Sequence, residues 1–241
     1  MPDITKAETD NSLFDKYPEI QSDPRHKKHY YFHATLFRRF FVGLIELILK
    51  LFARYQVSGI EHLPAEGPLV MASNHLTNLD VFPIQIALRR TLFFMAKAEL
   101  HANWFTDWFF RTVGAFPVQR GQRDYWAIAH AAKVLEKGKV LAIFPEGTRS
   151  KGRGLRSAKT GAARFSIQAN CPILPVAITG THHIFKTFPR RALVTITIGE
   201  PLYPQPGESA LALTDRLMFT IAEMLPKALR GVYAERPVGF G

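Results

Sequence analysis

The sequence predicts an α/β domain in which a largely parallel central sheet is flanked by helices, with an N-terminal amphipathic helical segment ahead of it. Short apolar runs alternate with helical patterns from residue 68 onward, which is typical of parallel strands joined by helical crossovers. Two polar loops, at 74–80 and 145–150, directly follow such runs. In sheets of this kind the functional site lies beyond the carboxyl ends of the strands.

The first residues of the chain, 1–29, are predicted to form a polar, mobile leader. They are mixed in charge, rich in turn formers and without the apolar core of a signal peptide. The next segment, 30–54, is predicted to be an amphipathic helix region. Its apolar side chains follow the spacing of one helix face: Phe37, Phe40, Phe41, Leu44, Ile48 and Leu51.

This N-terminal helix is too polar to cross a bilayer. Its other side carries Arg39, Glu46 and Lys50. The longest uncharged stretch, 40–45, is far shorter than the roughly 18 residues of a spanning helix. A globular core and a membrane interface both accommodate such a helix. Its aromatic and basic composition favours the membrane interface.

The remaining residues, 55–241, are predicted to form a single domain. Hydrophobic residues make up 47% of the 241-residue chain, enough for a sizeable core. Strands are predicted near 68–73, 92–96, 139–144, 173–179 and 192–199. Helices are predicted near 80–89, 104–112, 123–137, 160–169 and 208–229.

The most informative motif is His75 followed five residues later by Asp80. A neutral imidazole accepts a proton from an alcohol, and a carboxylate behind it fixes the tautomer. Residues five apart diverge by about 140° around a regular helix. The two side chains can meet only if the chain turns between them, with His75 on a strand-end loop and Asp80 near a helix start. Asn78 and Asp80 are the candidate caps of that helix. The simpler alternative is an ordinary loop pair.

A second motif, Phe144 to Ser150, follows the strand-like run 139–143. It offers a hydroxyl at Thr148, close backbone approach at Gly147 and a guanidinium at Arg149. These groups suit an anionic, oxygen-rich ligand such as a phosphate. The alternative is a polar turn with a surface arginine.

The charge of the chain calls for an anionic partner, since the net charge is +11 and the pI is about 9.9. No zinc-finger spacing, RNA-binding run or leucine zipper supports nucleic acid. An anionic membrane surface and a phosphate-bearing lipid or small molecule fit equally well, and the position of the basic residues favours the membrane. The single Cys171 excludes an internal disulfide, and no group of residues has metal-ligand spacing.

Three other features of the sequence give weaker evidence about function. The basic loop 151–160 lacks the glycine pattern of a nucleotide-triphosphatase loop. A solvated, mobile loop is the default interpretation, and a role in holding the phosphates of a coenzyme or carrier is the alternative. Ser73 has no nucleophile elbow around it. Trp104 and Trp108 indicate a packed helix face, with an interfacial role open.

Taken together, these motifs resemble the glycerolipid acyltransferase family, and most of all its 1-acylglycerol-3-phosphate acyltransferases. The resemblance covers roughly residues 55 to 200, in the family's order. Its first block matches Asn74, His75 and Asp80; the second Gly114, Phe116 and Arg120; the third Phe144 to Arg149; the fourth Ile173 to Ile178 around Pro175; and Lys97 matches a further position.

The resemblance implies acyl transfer from acyl-CoA or an acyl-carrier protein to the 2-hydroxyl of 1-acylglycerol-3-phosphate, giving phosphatidic acid. His75 would be the general base and Asp80 its orienting group. No tightly bound cofactor and no covalent acyl-enzyme are expected. The implied substrate-binding residues are Lys97, Arg120 and Arg149 for the phosphate, Glu146 and Gly147 as the pocket wall, and Asn74, Gly114 and Thr148.

The resemblance also implies a peripheral or monotopic protein at the cytoplasmic face of a membrane. The first alternative is an acyltransferase for another lyso-lipid or for an acceptor without phosphate. The remote alternative is a non-catalytic basic protein that binds membranes or nucleic acid. The complete first and third blocks speak against it, because surface binding needs neither.

Overall fold

A computed structural model describes residue 20 and residues 22–236. Its centre is a seven-stranded sheet with the order β1-β7-β6-β2-β5-β3-β4. The strands are β1 Ala53–Ser58, β2 Leu69–Ser73, β3 Leu92–Lys97, β4 Ala115–Val118, β5 Val140–Ile143, β6 Ile173–Thr179 and β7 Ala192–Ile198. The α-helices are α1 Leu36–Phe52, α2 Val81–Leu88, α3 Trp104–Thr112, α4 Tyr125–Glu136, α5 Gly161–Gln168 and α6 Ala210–Met224.

The sheet is parallel from β6 through β2, β5 and β3 to β4. β7 runs antiparallel to β6, and β1 follows β7 in parallel. Two apolar cores cover the two faces. One contains side chains of α4, α5 and α6, and the other contains side chains of α1 and α2. The predicted largely parallel sheet with flanking helices is therefore confirmed.

All five predicted strands and all five predicted helices of the main domain are present, but two strands were not predicted. Helix α1 runs straight into β1 without an intervening residue, so no turn signal separated the two elements. β4 has four residues and contains Pro117 at the sheet's edge, where a strand tolerates proline. Helix α6 ends at Met224 rather than 229, because the residue before Pro226 is pushed out of helical conformation.

The predicted mobile leader needs a correction. Residues 1–19 and 21 lie outside the described part of the chain, but residues 22–29 and residue 20 belong to the folded body. Ile20 is 1% exposed and lies in a core. Arg25 holds Asp124 through two bonds, from Nη1 to Oδ2 at 2.7 Å and from Nη2 to Oδ1 at 2.8 Å. A bidentate pair of this kind fixes the segment. The predicted boundary at 54/55 likewise falls inside β1.

Helix α1 packs against the rest of the domain through only a narrow side of its surface. Arg38 and Leu49 are buried, and the Arg38 guanidinium donates to the carbonyl of Leu92 at 2.6 Å. Four of the six residues of the predicted apolar face, Phe40, Leu44, Ile48 and Leu51, are exposed, and so are Leu36 and Leu47 on the same helix. Among the described residues, no helix combines the length and apolar character needed to cross a membrane.

Candidate active site

His75 and Asp80 meet in the corner between β2 and α2. The five residues of β2 are all buried, and the chain turns immediately after them. His75 Nδ1 lies 2.7 Å from Asp80 Oδ2. The His75 side chain is 15% exposed, whereas that of Asp80 is 0% exposed. The predicted contact across a strand–loop–helix corner is therefore present.

Asp80 receives five hydrogen bonds. Oδ2 accepts from His75 Nδ1 and from the backbone N–H groups of Leu76 and Thr77, at 2.7, 2.6 and 2.8 Å. Oδ1 accepts from the hydroxyls of Thr77 and Thr181, at 3.2 and 2.5 Å. An ionised carboxylate only accepts, so the proton of His75 lies on Nδ1 and Nε2 presents its lone pair.

The predicted helix cap by Asp80 or Asn78 is wrong. Asp80 occupies the position before α2 but makes no side-chain cap bond. Its carboxylate points back into the loop, where the N–H groups of Leu76 and Thr77 use its lone pairs. The loop before the helix, rather than the helix itself, holds this side chain.

Phe144 supports the His75 ring from below. The two rings are stacked, with centroids 4.0 Å apart and planes at 15°. With Nδ1 tied to Asp80 and one ring face covered, the orientation of His75 is fixed. Among the described residues Nε2 has no hydrogen-bond partner, so it is the atom left to act on a substrate.

Asn74 does not match its predicted contact with substrate. Its side-chain nitrogen donates to the carbonyl of Ile178 at 2.9 Å, and its side-chain oxygen accepts from the N–H of Ile178 at 2.8 Å. Both polar atoms thus bond to the backbone of β6, and the residue is buried. Asn74 extends the β2–β6 pairing by one side chain and sets the position from which the loop departs.

Glu146 joins the two predicted loops. One carboxylate oxygen accepts from the backbone N–H of His75 at 2.9 Å and the other from that of Arg156 at 3.0 Å. Burial raises the pKa of Glu146, and the two backbone hydrogen bonds oppose that rise. Gly147 follows at φ +63, in the left-handed region that favours glycine. The expected role of Glu146 and Gly147 as a pocket wall stays a prediction.

Three cations lie beyond the carboxyl ends of neighbouring strands. Lys97 ends β3, Arg120 follows β4 by two residues, and Arg149 lies in the turn after β5. All three are exposed, and Thr148 beside Arg149 is exposed as well. Lys97 contacts Glu99 at 2.9 Å, whereas the described residues offer no ion-pair partner to Arg120 or Arg149. The sheet order places β5, β3 and β4 side by side, next to β2 and its histidine.

Gly114 lies apart from this edge, contrary to its predicted contact with substrate. It precedes β4 at φ +88, buried against the guanidinium of Arg38. The strand register pairs Ala115 with Phe94 and Val118 with Lys97. Gly114 therefore lies at the amino end of β4, whereas Lys97 lies at the carboxyl end of β3. Its role is to leave space for Arg38, which a Cβ atom would fill.

The basic loop 151–160 is anchored rather than mobile. Leu155 is buried, its N–H donates to the carbonyl of Leu229 at 3.0 Å, and its carbonyl accepts from the N–H of Val232 at 3.1 Å. The bond from Arg156 to Glu146 ties the same loop to the corner. The default interpretation holds for the solvation of the loop, because most of its residues are exposed or half-buried, but these bonds contradict its predicted mobility.

Sequence reasoning missed Thr181, whose hydroxyl binds Asp80. Thr181 follows β6 by two residues, so the rule that sites gather at carboxyl ends of parallel strands points to it. Nothing in its neighbourhood along the chain names Asp80 as the partner, which is 101 residues away. The stacking of Phe144 on His75 was missed for the same reason.

The fold and the corner define the class of protein: an α/β enzyme in which a buried carboxylate holds a histidine beyond the end of a strand. Comparisons identify the family. The family model described as Acyltransferase matches residues 54–179. A 1-acyl-sn-glycerol-3-phosphate acyltransferase of Bacillus subtilis is 30% identical over 193 residues, which are 77% of this chain and 96% of that protein.

Other relatives agree. The chloroplastic 1-acyl-sn-glycerol-3-phosphate acyltransferase BAT2 of Brassica napus is 28% identical over 88% of this chain, which spans only 58% of that protein. The crystal structure of the 1-acyl-sn-glycerophosphate acyltransferase PlsC from Thermotoga maritima matches with a TM-score of 0.60 and 27% identity, over 78% of this chain and 80% of that one. The chain belongs to the acyltransferase family, and the resemblance inferred from its motifs is confirmed.

Proposed function

We propose that this protein transfers a fatty acyl group from an acyl thioester to the 2-hydroxyl of 1-acylglycerol-3-phosphate, giving phosphatidic acid. The observation that carries the proposal is the His75–Asp80 pair, with Nδ1 held at 2.7 Å and Nε2 left open. The family and the names of its relatives supply the acyl chemistry. The donor is acyl-CoA or an acyl-carrier protein, and no tightly bound cofactor takes part.

The proposed reaction has two steps at His75. The acceptor hydroxyl attacks the thioester carbonyl while its proton passes to Nε2, and Asp80 stabilises the imidazolium that forms. The tetrahedral intermediate then collapses, the carbon–sulfur bond breaks, and the departing thiolate takes the proton from Nε2. The acyl group ends on the acceptor oxygen and the histidine returns to its neutral form.

The acceptor phosphate would bind the cations beyond β3, β4 and β5. Arg120 and Arg149 have no ion-pair partner among the described residues, so their guanidinium groups are available for a phosphate. Lys97, Thr148 and the backbone at Gly147 complete the proposed set. Glu146 acts indirectly, because its two backbone bonds fix the loop that carries Gly147, Thr148 and Arg149.

The acceptor is a membrane lipid, and we infer that the protein works peripherally at the cytoplasmic face of an anionic membrane. The outward apolar face of α1 supports this location. A helix lying in the interface buries such a face and keeps its charged side in water. Nucleic acid is not a proposed partner.

The test is an acyl-transfer assay on the purified protein. Radiolabelled acyl-CoA and acyl-carrier protein are offered with lysophosphatidic acid and with lyso-lipids that lack a terminal phosphate, and products are separated by thin-layer chromatography. We expect phosphatidic acid from lysophosphatidic acid, and its loss in a folded His75→Ala variant, since removal of a general base costs about 10²–10⁴ in rate. Undiminished turnover by folded His75→Ala protein would refute the mechanism, and preference for another acceptor would refute the substrate.

A further inference from the structure

Helix α3 presents three aromatic side chains to solvent. Trp104 is 81% exposed, Phe105 is 54% exposed and Trp108 is 39% exposed. The opposite side of α3 is fixed to the domain, because Asp107 is buried and bonded to His101 and Lys28 at 3.0 Å each. Scattered exposed apolar residues are ordinary, but three large rings on two turns of one helix form a patch that monomers seldom leave uncovered.

The patch on α3 continues onto α1. The ring centroids of Trp108 and Phe37 are 4.7 Å apart, and those of Phe109 and Phe41 are 5.6 Å apart. Phe41 in turn contacts Phe40, which is 65% exposed. Two helices from separate parts of the chain therefore share one apolar surface. The outward residues of α1 named above extend it along the whole helix.

The surface extends past the other end of α1 as well. Phe52 contacts Phe185 and Phe188, with centroids 4.7 and 5.8 Å apart. Phe188 is 68% exposed. These two rings belong to the segment between β6 and β7, which also carries the exposed Lys186 and Arg190.

Basic residues accompany this surface. Five Lys and Arg side chains of residues 22–54 are exposed: Lys27, Lys28, Arg39, Lys50 and Arg54. Residues 180–191 carry three more, Lys186, Arg190 and Arg191, and no carboxylate. An apolar surface flanked by cations complements a bilayer with anionic headgroups, where apolar side chains enter the acyl region and bases stay at the phosphates. A second copy of the chain would instead bring these bases together.

We propose that α3 is a second membrane-docking element, which acts with α1 and the segment 184–191 as one docking surface on an anionic bilayer. This inference rests on the proposed function for its purpose, since the acceptor is a bilayer lipid. Helix α3 begins seven residues after Lys97, and the segment with Phe185 begins just after Thr181. Both therefore flank the edge of the sheet where His75 lies, and docking turns that edge toward the lipid.

Intrinsic fluorescence tests the position of α3 in the native protein. The chain has three tryptophans, of which Trp126 is buried in a core and serves as internal reference. Vesicles of phosphatidylcholine and phosphatidylglycerol should shift the emission of the wild type to shorter wavelength, and brominated lipid should quench it. A Trp104→Phe/Trp108→Phe variant, with only Trp126 left, should show neither effect. Equal quenching of the wild type and the variant would overturn the proposal. So would the absence of quenching in both proteins while both sediment with vesicles.

A matched pair of variants tests the energetics. Trp104→Ser/Phe105→Ser should weaken vesicle binding roughly tenfold or more, because two large apolar side chains no longer leave water. Leu211→Ser on α6 is the control, since the exposed fraction of Leu211, 63%, lies between those of Trp104 and Phe105, but α6 covers the other face of the sheet. Vesicle binding of the α3 variant equal to that of the control would contradict the inference.

Turnover of a short-chain, water-soluble lyso-lipid separates this inference from the proposed function. This turnover should be the same in the α3 variant as in the wild type. If the proposed function is wrong, the wild type should not turn the soluble substrate over at all, whether or not it binds vesicles.

Discussion

At the scale of single residues, Asp80 is a buried anion surrounded by donors. Five hydrogen bonds reach its two oxygens, and bonds to an ionised group are stronger than those between neutral groups. A buried carboxylate without such donors pays a large desolvation cost. The donors come from its own loop and from Thr181 beyond β6. The orientation of His75 therefore depends on two strand ends, not on the loop alone.

Removal of the Thr181 hydroxyl should slow the reaction. Thr181→Val keeps the shape of the side chain but withdraws one donor from Asp80, and hydrogen bonds to charged groups contribute about 1.5–3 kcal/mol. We expect kcat to fall roughly 10- to 100-fold, with an unchanged KM for the acyl donor. Thr181→Ser restores the hydroxyl and should recover most of the rate. Equal kcat values for the Val and Ser variants would show that the Thr181 hydroxyl does not support the His75–Asp80 pair.

Arg149 should matter according to the acceptor. Arg149→Ala is expected to raise the KM for lysophosphatidic acid, because a guanidinium binds a phosphate through two parallel hydrogen bonds. Arg149→Lys should recover the affinity in part, since an ammonium group supplies only a point charge. Kinetics with a lyso-lipid that lacks the terminal phosphate provides the comparison. If the KM values for both acceptors rise equally, Arg149 does not bind the phosphate.

At the scale of elements, side chains tie neighbouring strands and helices where the backbone ladder stops. Asn74 continues the β2–β6 pairing, Glu146 joins the loops after β2 and β5, and Arg38 anchors α1 to β3. The anchor is unusual, because among the described residues the buried Arg38 has no acidic partner. Its Nη1 atom is buried and has no hydrogen-bond partner among them either. Burial lowers the pKa of Arg38 to about 10. Gly114 makes room for this guanidinium.

Gly114→Ala should destabilise the protein through that contact. The left-handed backbone and the clash of a new Cβ with Arg38 together cost about 2–4 kcal/mol. Gly121→Ala is the control for backbone strain, because Gly121 has φ +89 and open space around it. Urea denaturation gives the two free energies of unfolding, and we expect the Gly114 variant to lose more. In an Arg38→Ala background the two alanine variants should become similar; an unchanged difference there would show that the clash is not with Arg38.

The sequence predicted elements best where the pattern was local. Leu69 to Ala72 form an uninterrupted apolar run, and the strand they predict is present. β1 escaped because it continues α1 without a turn, and β4 because Pro117 interrupts it. The pairing of His75 with Asp80 follows from spacing and was predicted. The bonds of Thr181 and Asn74 were not, since they join residues more than a hundred positions apart, which only the assembled sheet brings together.

At the scale of the whole molecule, one of the two cores on the faces of the sheet encloses a histidine. The core under α4 contains His130, packed against Tyr30 and Phe116 at 4.6 Å and against Trp126 at 4.9 Å. Burial lowers the pKa of His130 to about 3. The folded protein therefore holds this imidazole neutral, while the unfolded chain protonates it near pH 6.5.

His130 should make the fold sensitive to acid. Because the folded pKa is depressed, the contribution of His130 is complete above pH 6.5 and is lost as the pH falls toward 3. The slope approaches about 1.4 kcal/mol per pH unit. His130→Phe removes this slope, so urea denaturation at pH 7, 6 and 5 should show a smaller fall for the variant by about 2 kcal/mol. Parallel pH profiles of the two proteins would contradict the assignment.

The junction between α1 and β1 has a mechanical consequence. α1 ends at Phe52 and β1 begins at Ala53, so no hinge separates the helix from the sheet. β1 pairs with β7, β7 with β6, and the loop after β6 holds Asp80 through Thr181. If the protein docks through α1 as proposed, Nε2 of His75 stays at one height relative to the bilayer plane. We then expect the depth of the acceptor hydroxyl in the leaflet to decide which lipids can react, independently of their headgroups.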